Sequence, residues 1–137
     1  MRPHIANRVL GSTDTGSLRG DLMAALRALR GHLTPEFMAM MSGLVHAMRA
    51  DAGLARILRS VFAEDPVSAT IIGRAVARGE LPPDTGGHLA ALVHEVIEAQ
   101  VFRQMVAGSE FGETFARHVV DDIVMPLIAG SAARERE

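Results

Sequence analysis

Residues 84–129 hold two consecutive stretches in which apolar side chains recur at steps of three and four, separated by a break at Gly108-Ser109-Glu110. Leu89, Leu92, Val93, Val96, Ile97, Val101, Phe102, Met105 and Val106 carry the pattern in the first. Phe111, Phe115, Val119, Val120, Ile123, Val124, Leu127 and Ile128 carry it in the second. Such spacing stacks side chains along a helix, but here the apolar positions occupy most of each circumference, with Asp121 and Asp122 marking a narrow polar edge. A helix apolar nearly all round has to be covered nearly all round. A chain of 137 residues can cover one side with its own helices, and the other side calls for a second copy, a partner or a ligand. The expectation is a two-fold homodimer in which residues 88–106 and 112–128 of each chain form a four-helix bundle. Leu89, Val96, Phe115, Val119, Ile123 and Leu127 are its candidate interface residues.

Upstream, punctuation marks four shorter helices. Ser17 is placed to cap a helix carrying Leu18, Leu22, Leu26, Leu29 and Leu33, which Gly31 or Thr34 ends. Thr34-Pro35-Glu36 is a stronger start, because threonine caps free amides, proline suits the first helical position and the carboxylate favours the positive end of the helix dipole. Asp51 caps a short helix that stops before Asp65-Pro66, since the residue before proline is steered out of the helical region. Pro66 opens the next helix, which Gly79 is placed to end. The fold class is therefore all-α with six helices and no strand. Residues 1–13 read as a linker or helix stub, 14–130 as one domain and 131–137 as a frayed polar tail.

Composition removes several classes of function. The absence of cysteine excludes disulfides, thiolate nucleophiles and thiolate metal sites. No apolar run approaches the roughly 20 residues of a membrane span, and residues 1–12 lack the apolar segment of a signal peptide, so the default is a soluble cytoplasmic protein without a membrane partner. Net charge is −2, aromatics are only 4%, and the basic residues are all arginine and scattered. With no phosphate-neutralising cluster and no stacking platform, this chain alone is not expected to bind nucleic acid. No nucleophile constellation and no glycine-rich phosphate loop is present, so the chain is not read as an enzyme and no cofactor is expected.

Two groups of residues invite a site. His94 and Glu98 lie one helical turn apart, a spacing at which imidazole and carboxylate can share a metal or a proton. A metal site generally needs a third protein ligand, which His46 or His118 would have to supply. A small helical metal-dependent enzyme using His46, His94, Glu98 and His118 is thus the rival function, against the plainer reading of exposed polar pairs. Met38, Met40, Met41 and Met48 share one helix. Thioethers adapt to irregular surfaces, so that helix either lines a pocket or is ordinary core.

The order of segments resembles the C-terminal domain of the tetracycline-repressor (TetR) family of bacterial transcription regulators. The resemblance is carried by Asp14-Thr-Gly-Ser-Leu-Arg-Gly-Asp21, Arg74-Ala-Val-Ala-Arg-Gly-Glu-Leu81, Val101-Phe-Arg103 and Val119-Val-Asp-Asp-Ile-Val-Met-Pro-Leu127. It implies effector binding among the middle helices and dimerisation through the last two. The methionine helix then becomes a pocket wall, with Met38, Met41, Val45 and Met48 facing Phe62, Val93, Ile97 and Phe102 across an apolar cavity for a small apolar effector. Gln100, Arg103 and Gln104 are candidates for polar contacts, and Arg103 is alternatively a partner for Asp121 or Asp122. Members of the family carry an N-terminal helix-turn-helix that binds operator DNA. Residues 1–12 are too few for that unit, so operator binding is expected of a parent protein through a domain missing from this chain.

Overall fold

In the computed structural model, which describes residues 13–62 and 66–135, helices begin and end where caps and glycines stand in the sequence. Six helices and no strand are found among the described residues: α1 (Leu18–Arg30), α2 (Pro35–Ala50), α3 (Ala52–Phe62), α4 (Pro66–Ala77), α5 (Gly87–Ala107) and α6, running over 113–135. The expected stub at 1–12 and the side chain of Phe62 lie outside the described residues. Ser17 Oγ accepts from the Gly20 amide at 3.0 Å and Thr34 Oγ1 from the Phe37 amide at 3.1 Å. Asp51 accepts from the amides of Gly53 and Leu54 at 3.0 and 3.1 Å. Each cap satisfies amides that the first helical turn leaves without partners.

Gly79 ends α4 in the left-handed region (φ 82). The amide of Glu80 there returns to the Ala75 carbonyl at 2.9 Å, and Gly108 closes α5 in the same way. Nothing lies within 4 Å of where a Gly79 side chain would stand, so Gly79→Ala should carry the backbone cost alone. The expected loss is about 1 kcal/mol, read as a melting temperature lower by roughly 4 °C.

Helix α6 departs from regular geometry. Between α-helical Glu113–Arg117 and Met125–Glu135, residues His118–Val124 are π-helical. Ala116, Val120, Val124 and Ile128, each four residues from the next, are all buried. In a regular helix three such steps would drift by roughly 120° around the axis, whereas π turns hold more residues and keep the stripe facing the core. The helix continues through Gly130 to Glu135, with Ser131 buried. The polar tail read from Gly130 onward therefore starts as helix, because Ala132 and Ala133 are good helix formers and no proline stops them.

The core is shared by α1, α4, α5 and α6. Leu22 and Leu26, Ile71 and Ala75, Leu89 and Val93, and Val119, Val120 and Val124 pack into one buried cluster. The α2–α3 hairpin stands apart from it. Its two helices pack against each other, α2 has no buried residue, and Ala55 is the one buried described side chain of α3.

Candidate functional site

Asp21 opens α1 and is wholly shielded from solvent. Its Oδ1 accepts from the Thr15 amide and the Thr15 hydroxyl, both at 2.7 Å, and its Oδ2 accepts from Arg78 Nη2 at 3.0 Å. Arg78 also donates to Asp14 at 2.8 Å and to Glu80 at 3.0 Å, while the other Glu80 oxygen accepts from the Leu18 amide at 3.0 Å. Burial pushes the Asp21 carboxyl upward, but the Thr15 amide, the Thr15 hydroxyl and the Arg78 guanidinium together hold it below the usual carboxylate value. Chain entry at 14–17, the start of α1 and the α4–α5 turn are thereby tied together. First-turn acids commonly serve only the helix dipole, and apolar spacing alone gives no sign that Asp21 lies inside the fold.

A second polar connection joins α1 to α6. Arg19 makes a two-pronged contact with Asp121 at 2.7 and 2.9 Å, and Arg27 Nε donates to both oxygens of Glu113 at 3.1 Å, with Nη2 adding a further contact. The pairs descend along α6 as they ascend along α1, so the two segments run antiparallel. The hydrogen bond from Arg19 lowers the Asp121 carboxyl, and that from Arg27 lowers Glu113. Arg103, considered a partner for these acids, is exposed, and its place is taken by Arg19 for Asp121 and by His118 for Asp122 (2.9 Å). Gln104, considered a pocket contact, donates to the Glu110 carbonyl at 2.7 Å and so braces the α5–α6 turn.

Met38, Met41 and Met48 are half-buried on α2, and Val45 is exposed. On α5, Val93 is fully buried in the core, Ile97 packs half-buried against it, and Phe102 is 59% exposed. The α2 and α5 groups thus stand on different layers, one on the hairpin and one on the core. A shallow cleft forms elsewhere, between the end of α1 and the start of α6. It is too small to enclose more than about one water molecule, with Leu26, Leu29, Leu33 and Phe115 among its walls. Phe111 meets Phe115 edge to face there, ring centres 5.4 Å apart.

Of the candidate interface residues, Leu89 and Val119 are buried within the protomer's own core, while Val96, Phe115, Ile123 and Leu127 remain half-buried. Farther along α5, Val106 is 74% exposed. His94 meets Glu98 at 2.9 Å as its spacing suggested. Among the described residues no group of three or more metal-ligating side chains comes together, and His46 lies exposed on the hairpin. No helix among these residues is long and apolar enough to cross a membrane.

Comparison with known sequences assigns this helical domain to a family. Residues 12–123 match the profile of the tetracyclin repressor-like, C-terminal domain family. The chain is 31% identical over 121 residues to a protein of Mycobacteroides abscessus described as DNA-binding transcriptional repressor TetR. That match covers 87% of this chain and 62% of the relative. No solved structure matches significantly. The chain belongs to the TetR-like C-terminal domain family.

Proposed function

We propose that this chain is the effector-binding and dimerisation module of a cytoplasmic TetR-family transcription regulator. The observation that carries the reading is the α2–α3 hairpin, whose methionine-bearing helix buries nothing fully and is therefore cheap to move. A small apolar effector would sit between Met38, Met41, Val45 and Met48 on one side and Ile97 and Phe102 on the other. Val93 backs that wall from the core. Two copies would pair through α5 and α6, with Val96, Phe115, Ile123 and Leu127 meeting the partner and Leu89 and Val119 shaping the helices from within. An effector that binds one hairpin position better than another shifts the population toward it. In a parent repressor such a shift would change the spacing of two DNA-binding units on operator half-sites. The module itself needs no catalysis, cofactor or direct contact with nucleic acid.

Titration with Nile red, an uncharged apolar fluorophore, tests the pocket. Saturable binding near one dye per protomer is expected, and Met41→Glu should weaken it at least tenfold while leaving the melting temperature within a few degrees, because α2 contributes nothing to the core. Dye binding that does not saturate, or that the substitution leaves unchanged, argues against a pocket beside α2.

A further inference from the structure

The chain contains no cysteine and eight methionines, so thioether sulfur is its most readily oxidised group and no thiol competes for an oxidant. Four of the eight, Met38, Met40, Met41 and Met48, stand on α2. Met40 is 57% exposed, and Met38, Met41 and Met48 are half-buried. Met23, by contrast, is enclosed in the core, and Met125 packs half-buried against that core. Met105 is half-buried on α5. Met38, Met41 and Met48 recur with Val45 at steps of three and four, which sets them along one face of α2. That helix has no buried residue, and α3 is the helix it mainly packs against. Its cover is thus a single neighbour, and segments with so little buried apolar surface open locally at low cost. An oxidant that meets Met40 directly meets the other three whenever α2 moves.

We propose that Met38, Met40, Met41 and Met48 form a reversible oxidation site for hypochlorous acid, and that their conversion to sulfoxides releases α2 from α3 while the four-helix core stays folded. The polarisable sulfur of a thioether readily attacks electrophilic chlorine. In each conversion the sulfur gains one oxygen and gives up two electrons, the chlorine of hypochlorous acid is reduced to chloride, and one proton is released. A flexible apolar side chain thereby becomes a polar one. A sulfoxide oxygen between two helices needs a hydrogen-bond donor, which water supplies only where the helices part. The core is spared, because the methionine enclosed in it is Met23, the last that an oxidant meets. The site depends on exposed sulfur and a loosely held helix and not on an effector, so a failure of dye binding beside α2 would leave it in place.

Trypsin cleaves after arginine, and the sequence puts the four α2 methionines together in the peptide 31–49, with Met23, Met105 and Met125 each in a different one. The intact chain is treated with one to four equivalents of sodium hypochlorite, then unfolded, digested and weighed by mass spectrometry. Among the described methionines, peptide 31–49 should carry most of the sulfoxide and the Met23 peptide the least. Digestion of the oxidised chain without unfolding should cut after Arg49 and Arg56 at least tenfold faster than in the untreated chain, while the melting temperature of the core stays within a few degrees. Methionine sulfoxide reductases should restore the slow cleavage. A chain carrying Met38→Leu, Met40→Leu, Met41→Leu and Met48→Leu together, substitutions that nearly conserve volume, should keep slow cleavage after the same treatment. Sulfoxide spread evenly over the described methionines, or formed first at Met105 or Met125, would overturn the proposal. So would cleavage that oxidation leaves unchanged or the reductases fail to slow, a core that unfolds with the hairpin, or an equal response in the leucine chain.

Discussion

If α5 and α6 pair two copies as proposed, an Ile123→Asp chain is expected to sediment as a monomer at micromolar concentration, where the native chain is expected to sediment as a dimer. Ile123 lies in the π-helical segment of α6, half-buried in the single chain, with Leu127 one turn beyond it and equally half-buried. Phe102 and Val106 on α5 are exposed besides. Apolar surface left open on the two longest helices, next to a complete core, is the usual mark of an interface, and a self-complementary helix pair closes most simply about a two-fold axis. An aspartate at that contact would carry an unpaired charge into an apolar interface, at a cost of several kcal/mol. Because each 1.4 kcal/mol is a factor of ten, association should weaken by at least a thousandfold. The choice of residue matters: Val119 is fully buried within the protomer, so a charge there would unfold the chain rather than separate two copies. Ile123→Asp should retain its helical circular dichroism and lose only the dimer. A native chain that is monomeric at micromolar concentration, or an Ile123→Asp chain that stays dimeric, would remove the interface assigned to α5 and α6.

What the sequence made legible was local, and what it hid was mostly distant. Thr34-Pro35, Asp51, Pro66 and Gly79 stand at helix ends because capping and φ restriction are decided within a few residues. The apolar stripes of α1, α4, α5 and α6 identified core faces for the same reason. Spacing says which face is apolar and not what it meets. Leu89 and Val119 therefore read as interface residues although they close the protomer's own core, and the methionines of α2 read as enclosed although they remain half-exposed. The π segment was invisible because a stripe at steps of four fits a slightly unwound helix as well as a regular one. Arg19 and Asp121 are separated by 102 positions, so no local rule could join them. The two quoted words at Asp14–Asp21 and Arg74–Leu81 were separate signs of resemblance, and in the fold they turn out to be halves of one polar cluster.

That cluster predicts a large and pH-dependent effect at a residue whose apolar neighbours suggest nothing of the kind. Asp21→Asn keeps the shape of the side chain and removes the charge that answers Arg78 from inside the fold. Breaking a buried pair by neutralising one member costs about 3 kcal/mol, which for a domain of this size lowers the melting temperature by roughly 10 °C. Asp14 and Glu80 remain on Arg78 but are more exposed, and they cannot take over the bonds from the Thr15 amide and hydroxyl that Asp21 accepts from within. The sign of the pH effect follows from the direction of the shift. The Asp21 carboxyl is held below its unfolded value of about 3.9, so its stabilisation is complete above that value and is lost as the pH falls through the lowered folded value. Native and Asp21→Asn chains should therefore differ by a constant amount between pH 6 and 8 and begin to converge only as the pH falls below the unfolded value, because acid then removes from the native chain the charge that the substitution had already removed. Melting curves of both chains across that range decide the matter. A gap of less than about 2 °C at pH 7, or one that persists undiminished in acid, would mean that Asp21 is held by its neutral hydrogen bonds alone and that Arg78 contributes nothing to the junction of α1 with the α4–α5 turn.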